Sequence, residues 1–120
     1  RLYLRKNLIK TIENLDTLTQ LEDLELYDNQ LTKIEGLTTL INLTILDLSY
    51  NLIKKVEGLE SLVNLTTLYL VENRIKRIEN VNMLKNLFRI KEKVRCFPRM
   101  YMMHLLKKCL NRSLLMILMD

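Results

Sequence analysis

The sequence predicts an α/β solenoid of about four 22-residue repeats, in which short parallel strands on a concave face alternate with 3₁₀ or irregular helical returns. Three observations predict this fold. Asparagine recurs every 22 residues, apolar residues recur in one frame around each asparagine, and glutamate followed by glycine or asparagine recurs later in every unit. Because a unit this short cannot bury its own apolar edge, the units must stack on one another.

The apolar frame reads L-x-x-L-x-L-x-x-N-x-[LI]-x-x-[IV]-x-x-[LV]-x-x-L-x-x, which is the pattern of a leucine-rich repeat. A partial first unit is followed by three full units that match the frame without a slip, at residues 21–42, 43–64 and 65–86. The repeat domain is therefore predicted over residues 1–90. The frame asparagines are Asn7, Asn29, Asn51 and Asn73.

Each unit is predicted to hold a strand, a turn and a return. Leu46 and Leu48 have the spacing of two that places both side chains on one face of a strand. The later spacing of three, as at Leu37 and Leu40, favours a 3₁₀ or irregular return. The frame asparagines are expected to form a ladder of hydrogen bonds with backbone groups. Positive φ or a helix cap is expected at Asn14, Gly36, Gly58 and Asn80.

Charge and residue inventory exclude two classes of function for the repeats. The formal net charge is +5, but residues 1–90 hold 12 Lys and Arg against 12 Asp and Glu, and residues 91–120 hold 7 against 2. No nucleic-acid partner is therefore expected for the repeats. The single histidine, His104, follows the repeats, which contain no Cys/His pair and no metal-ligand spacing. We expect no enzymatic activity, no cofactor and no metal.

The cysteines and two of the asparagines indicate whether the protein occupies a reducing or an extracellular compartment. Cys96 and Cys109 both follow the repeats and do not match the paired framework of an extracellular cap. The Asn-Leu-Thr sequons at Asn42 and Asn64 argue in the other direction, but both occupy one repeat position and are interpreted as frame residues. A reducing compartment is expected. Because the chain starts within a repeat and without methionine, we also expect a fragment of a longer protein.

The repeat frame breaks after Ile90, where the next unit needs an apolar residue and an asparagine but has Glu92 and Arg95. Three interpretations of the basic and apolar tail, residues 91–120, stay open. It is a shifted reading frame, alternative exon or gene-model error; or residues 101–119 form a helix that caps the stack; or that helix lies on a membrane surface. Membrane binding is the least favoured, because charges interrupt the apolar stretch well before the roughly 20 residues needed to span a bilayer.

Strand side chains that point away from the core are expected to form columns, with neighbours about 4.8 Å apart. Glu25 and Asp47 are predicted to be neighbours, and adjacent carboxylates repel unless a partner supplies a cation. Tyrosine is a favoured interface anchor. The alternative is that these are solvated side chains of an exposed face. The predicted protein-binding residues are Tyr3, Asp23, Glu25, Tyr27, Asp28, Asp47, Tyr50, Tyr69 and Glu72.

The units resemble those of the sds22 class of leucine-rich repeat proteins, which are nuclear and cytoplasmic regulatory subunits of protein phosphatase 1. The segments that carry this resemblance are LYLRKNLIKTIENL, LELYDNQLTKIEGL, LTILDLSYNLIKKVEGL and LTTLYLVENRIKRIEN. In that class, acidic and aromatic residues at the fifth strand position bind the phosphatase catalytic subunit. Asp47 and Tyr69 stand at that position, with Glu25 extending the row, whereas Lys91 replaces the acidic residue expected next.

The expected function is therefore that of a monomeric, non-catalytic scaffold in the nucleus and cytoplasm, with the phosphatase 1 catalytic subunit as its partner. The alternative is another intracellular adaptor of the same repeat class, ciliary or cytoskeletal, that uses the same face for a different protein.

Overall fold

The structure is a computed structural model that describes residues 1–91 of the 120-residue chain. It contains one five-stranded parallel sheet in which the strands follow one another in sequence order. The predicted solenoid fold is confirmed. The predictions made for the tail concern residues that lie, apart from Lys91, outside the described range. The strands are β1 (Leu2–Tyr3), β2 (Asp23–Glu25), β3 (Ile45–Asp47), β4 (Thr67–Tyr69) and β5 (Arg89–Lys91).

Strand register follows the repeat frame. Leu24 pairs with Leu46, and Leu46 pairs with Leu68, so residues at one repeat position form one column. The pairing continues into β5, where Lys91 lies beside Tyr69. The last full repeat is thus followed by one further strand, and Lys91, the first residue assigned to the tail from the sequence, belongs to that strand.

The frame leucines and isoleucines fill the core. Leu24, Leu46 and Leu68 are completely buried at the centre of the stack. Leu2 and Leu4, in the partial first unit, are only partly buried, because they have a neighbouring unit on one side. The apolar spine predicted from the repeat frame is therefore continuous from unit to unit.

The returns contain no helix within residues 1–91. Each return closes through two successive turns instead. In the second unit, the backbone N–H of Leu40 donates to the carbonyl of Leu37, and that of Leu43 donates to the carbonyl of Leu40, both at 3.0 Å. The spacing of three was compatible with a 3₁₀ helix or an irregular return, and the structure has the irregular return. Each apolar residue ends one turn and starts the next.

The frame asparagines form the predicted ladder. Asn51 accepts a 2.9 Å hydrogen bond from the backbone N–H of Leu31 in the preceding unit and donates 3.0 Å bonds to the carbonyls of Leu26 and Leu48. Asn29 and Asn73 repeat this arrangement. Each of these three asparagines thus joins its own turn to the unit before it, which satisfies backbone groups that would otherwise be buried without partners.

A second asparagine ladder runs along the returns. Asn42 donates a 2.9 Å hydrogen bond to the carbonyl of Thr19, and Asn64 donates a 2.8 Å bond to the carbonyl of Ile41. Asn86 makes the equivalent bond to Val63. The two sequon asparagines therefore have the structural role expected of frame residues.

Candidate protein-binding surface

The fifth strand position forms a continuous row, which we call the strand row. Register pairs Glu25 with Asp47 and Asp47 with Tyr69, so the three residues that the family resemblance singled out are direct neighbours. Since all three lie at the same repeat position, their side chains leave the sheet on the same side. The members of the strand row are Tyr3, Glu25, Asp47, Tyr69 and Lys91.

Glu25 is neutralised within the chain. Arg5, at the seventh position of the preceding unit, donates a hydrogen bond from Nε to the Glu25 carboxylate and also forms an ion pair with it. The Glu25 side chain is 16% exposed, while that of Arg5 is 54% exposed. The expectation that only a partner relieves the repulsion between Glu25 and Asp47 is corrected for Glu25, because Arg5 already offsets its charge.

Asp47 carries the open negative charge of the strand row. One of its carboxylate oxygens accepts a 2.9 Å hydrogen bond from the backbone N–H of Ser49, which fixes the side chain. No lysine or arginine among residues 1–91 forms an ion pair with it. Asp47 is therefore held in a defined orientation with its charge uncompensated.

Cations of the chain lie over two tyrosines of the strand row, Tyr3 at one end and Tyr69 next to the other end. The guanidinium carbon of Arg5 is 5.1 Å from the centre of the Tyr3 ring, and the ammonium of Lys91 is 5.9 Å from the centre of the Tyr69 ring. Both distances fall in the range of cation–π attraction. Within residues 1–91, the strand row thus has a cation near each end and, at its middle, a carboxylate without an ion-pair partner.

Tyr27 and Tyr50 form a second cluster beside the strand row. Their ring centres are 5.1 Å apart with a tilt of 54°, a geometry that aromatic pairs favour. Tyr50 is 46% exposed, so the pair combines a fixed position with accessible apolar surface. This contact joins the seventh position of one unit to the eighth position of the next.

The eighth position has a left-handed backbone that the sequence analysis missed. Lys6, Asp28, Tyr50 and Glu72 all have φ between 54° and 58°. This conformation turns the chain out of the strand immediately before the frame asparagine. Asp28 and Tyr50 are exposed there, whereas Glu72 is half-buried. The predicted positive φ at Asn14, Gly36, Gly58 and Asn80 is also present.

Asp23 is placed differently from the other predicted binding residues. It is 8% exposed, and one of its carboxylate oxygens accepts a 3.1 Å hydrogen bond from the hydroxyl of Tyr3. Its other carboxylate oxygen is buried without a hydrogen-bond partner in the described part of the chain. Asp23 therefore positions Tyr3 instead of presenting a carboxylate to solvent.

Residues 1–91 contain no group of three or more His, Cys, Asp or Glu side chains placed to hold a metal ion. In the same range, no helix has the length and apolar character needed to cross a membrane.

Several solved structures are similar to this chain. An internalin (inlF) from Listeria monocytogenes is 26% identical with a TM-score of 0.63, over 76% of this chain and 34% of that one. The functional domain of InlJ from the same organism is 23% identical with a TM-score of 0.62, over 82% of this chain and 23% of that one. At this identity the similarity shows the fold alone. A chain of the Drosophila melanogaster SNF/U2A′ complex is 32% identical with a TM-score of 0.74, over 88% of this chain and 66% of that one.

The chain thus spans less than two thirds of the length of each of these structures. A search among curated proteins found no match. The family described as Leucine Rich repeats (2 copies) matches residues 1–39 and 41–86, which is most of the chain. Domains of this type typically serve as scaffolds for protein–protein interaction. This chain belongs to the leucine-rich repeat family.

Proposed function

We propose that this chain is a non-catalytic scaffold that binds the catalytic subunit of protein phosphatase 1 through its concave face. The proposal starts from the resemblance of its units to the sds22 class. One structural observation carries it: Asp47 has no ion-pair partner among residues 1–91 and lies in register between Glu25 and Tyr69. An acidic residue beside an aromatic one is the arrangement that this class uses for its partner.

Electrostatics favours a basic partner side chain at Asp47. A lysine or arginine brought to this carboxylate gains an ion pair without first displacing a cation of residues 1–91. Because the hydrogen bond from Ser49 already fixes the carboxylate, little side-chain entropy is lost on binding. Tyr69 adds a large, rigid contact surface next to the charge.

Exposed tyrosines extend the proposed interface beyond the strand row. Tyr27 and Tyr50 pack against each other beside it, and burial of the exposed part of Tyr50 by a partner would remove apolar surface from water. The SNF/U2A′ structure offers a parallel, since a similar solenoid occurs there in a complex. We therefore propose one continuous protein interface that includes the strand row and the tyrosine pair.

The proposal is tested by capture of the purified phosphatase catalytic subunit on the immobilised full chain. The Asp47→Lys, Tyr69→Ala double variant reverses the free charge and removes the adjacent ring, and we expect it to lose capture. The matched control is the Glu60→Lys, Phe88→Ala double variant. It makes the same kinds of change at two exposed residues outside the strand row. Equal capture by both double variants would reject the proposed interface.

The second candidate function is that of a ciliary or cytoskeletal adaptor of the same repeat class. It uses the same concave face, so a measurement on the partner must separate the two. Cosedimentation of the full chain with microtubules or actin filaments, lost in the Asp47→Lys, Tyr69→Ala variant, would favour the adaptor. Capture of the phosphatase catalytic subunit without cosedimentation would favour the phosphatase scaffold.

We also propose a nuclear and cytoplasmic location, in line with the sds22 class. The side-chain amides of Asn42 and Asn64 support this proposal, because each is held against the preceding unit by a hydrogen bond, as expected of a frame residue. Fluorescence microscopy of the tagged chain tests the location. A mobility shift on glycosidase treatment would contradict it.

A further inference from the structure

The side of the solenoid that follows the frame asparagines is rich in cations. Exposed lysines and arginines occur there at the tenth, twelfth and thirteenth positions of the second to fourth units. Because residues at one repeat position form a column along the stack, these cations lie in neighbouring columns. We call this surface the basic flank. Its residues are Lys33, Lys54, Lys55, Arg74, Lys76 and Arg77.

Half of the basic flank is paired. One cation in each unit forms an ion pair with the glutamate two residues later: Lys33 with Glu35 at 4.0 Å, Lys55 with Glu57 at 4.0 Å and Arg77 with Glu79 at 3.0 Å. Within residues 1–91, the other three flank cations have no ion-pair partner. They are Lys54, Arg74 and Lys76.

The unpaired cations contribute nothing evident to the fold. Lys54 and Lys76 occupy the same repeat position on adjacent turns, so their charges repel each other. Arg74 holds the stack through its main chain, because its backbone N–H donates a 2.8 Å bond to the carbonyl of Ile53, which any residue except proline would do. An excess of positive charge is thus concentrated on one surface of a repeat domain in which charges of both signs are equal in number.

We infer that the basic flank binds an acidic polypeptide segment, on a surface separate from the strand row. An extended peptide spaces alternate side chains about 6.6 Å apart, so its carboxylates can meet the unpaired cations while other residues lie opposite the glutamates. A nucleic-acid backbone cannot place its charges selectively in this way, because it has a phosphate at every nucleotide. Some of these phosphates would lie against Glu35, Glu57 and Glu79, which repel them. All three glutamates keep part of their side chains exposed.

Aromatic residues give a second reason to prefer a polypeptide. Proteins that bind single-stranded nucleic acids stack bases on aromatic side chains. The exposed aromatic residues of the described chain are Tyr3, Tyr50 and Phe88, and none of them belongs to the flank positions. The flank therefore offers charge and aliphatic stems, which suit carboxylates better than bases.

The probe for this inference is a fluorescent peptide of about 12 residues that alternates glutamate and serine, whose extended length of about 40 Å is more than enough to cover the flank. Binding to the full chain is measured by fluorescence anisotropy at low and high salt. The flank variant is Lys54→Gln, Arg74→Gln, Lys76→Gln. The matched control is Arg1→Gln, Lys85→Gln, Arg89→Gln, which removes the same charge from exposed positions elsewhere and leaves the basic tail unchanged.

We expect the flank variant to bind the peptide about tenfold more weakly and the control to change by less than about twofold, with binding that weakens as salt rises. Capture of the phosphatase catalytic subunit should be unchanged in the flank variant, because the strand row is intact. Equal losses of peptide binding, or no binding by the parent chain, would overturn the inference. So would tighter, flank-dependent binding of oligothymidylate or of phosphatidylserine vesicles.

Discussion

The side-chain amide of Asn80 donates a 2.8 Å hydrogen bond to the carbonyl oxygen of Val56. One unit earlier the same repeat position carries Gly58, where an added Cβ would lie 2.5 Å from the carbonyl oxygen of Ile34. The left-handed turn is therefore stabilised in two ways. Glycine avoids the neighbouring carbonyl because it has no side chain, and asparagine uses the equivalent carbonyl as a hydrogen-bond acceptor.

We expect Gly58→Ala to lower the free energy of unfolding by about 1–3 kcal/mol, because alanine combines an unfavourable φ with the close contact to Ile34. Gly58→Asn should lose less, since asparagine tolerates positive φ and can form the bond that Asn80 makes. Urea denaturation of the two variants measures the difference. Identical midpoints would show that the hydrogen bond of Asn80 has no counterpart at this turn.

The asparagine ladder predicts a strong dependence of stability on position in the stack. Asn51→Ala leaves the N–H of Leu31 and the carbonyls of Leu26 and Leu48 without their side-chain partner, and each buried unpaired group costs about 1–3 kcal/mol. We expect Asn51→Ala to destabilise the domain by about 2–4 kcal/mol and the exposed Asn7→Ala by less than about 1 kcal/mol. Thermal and urea unfolding measure both. Similar losses would contradict a role for the bonds between units.

The repeat frame was enough to predict the core, the strand register and one set of turns. Leu24, Leu46 and Leu68 occupy equivalent environments, so a single pattern predicts the burial of all three. The positive φ at Gly58 and Asn80 was predictable because these residue types tolerate that conformation. A structural feature that depends on the residue type at one repeat position can thus be predicted from the sequence.

The left-handed eighth position was not predictable from residue types. Lys6, Tyr50 and Glu72 have no preference for positive φ, and only Asp28 tolerates it. The conformation is imposed by backbone pairing between units, as in the 2.7 Å bond from the N–H of Tyr50 to the carbonyl of Val71. Such bonds depend on the stacked geometry, so the side chain at the position carries no signal for them.

Side-chain contacts between different repeat positions were also not predictable from the sequence. Arg5 at a seventh position pairs with Glu25 at a fifth, and Tyr3 at a fifth position donates to Asp23 at a third. Both contacts run diagonally between neighbouring units. The repeat positions therefore predicted the neighbours of Glu25 along the strand row, but they did not predict that Arg5, at a different repeat position, neutralises its charge.

Core packing provides a prediction with a matched control. Leu46 is completely buried at the centre of the stack, whereas Leu8 is 77% exposed. We expect Leu46→Ala to cost about 2–5 kcal/mol through lost contacts and the cavity left behind, and Leu8→Ala to change stability by less than about 0.5 kcal/mol. Urea denaturation followed by circular dichroism measures both. A large effect at Leu8 would mean that it packs against something in the folded protein.

Arg5 is expected to set the affinity of the concave face for a basic partner. Arg5 is well exposed, whereas Glu25 keeps only 16% of its side chain exposed, so Arg5→Gln should lower the free energy of unfolding by about 1 kcal/mol. The same change frees the Glu25 carboxylate beside Asp47, and we expect the phosphatase catalytic subunit to bind about two- to tenfold more tightly. Isothermal titration calorimetry measures the dissociation constant, with Lys10→Gln as a control that removes one exposed positive charge outside the strand row. Weaker binding by Arg5→Gln would instead show that Arg5 itself contacts the partner.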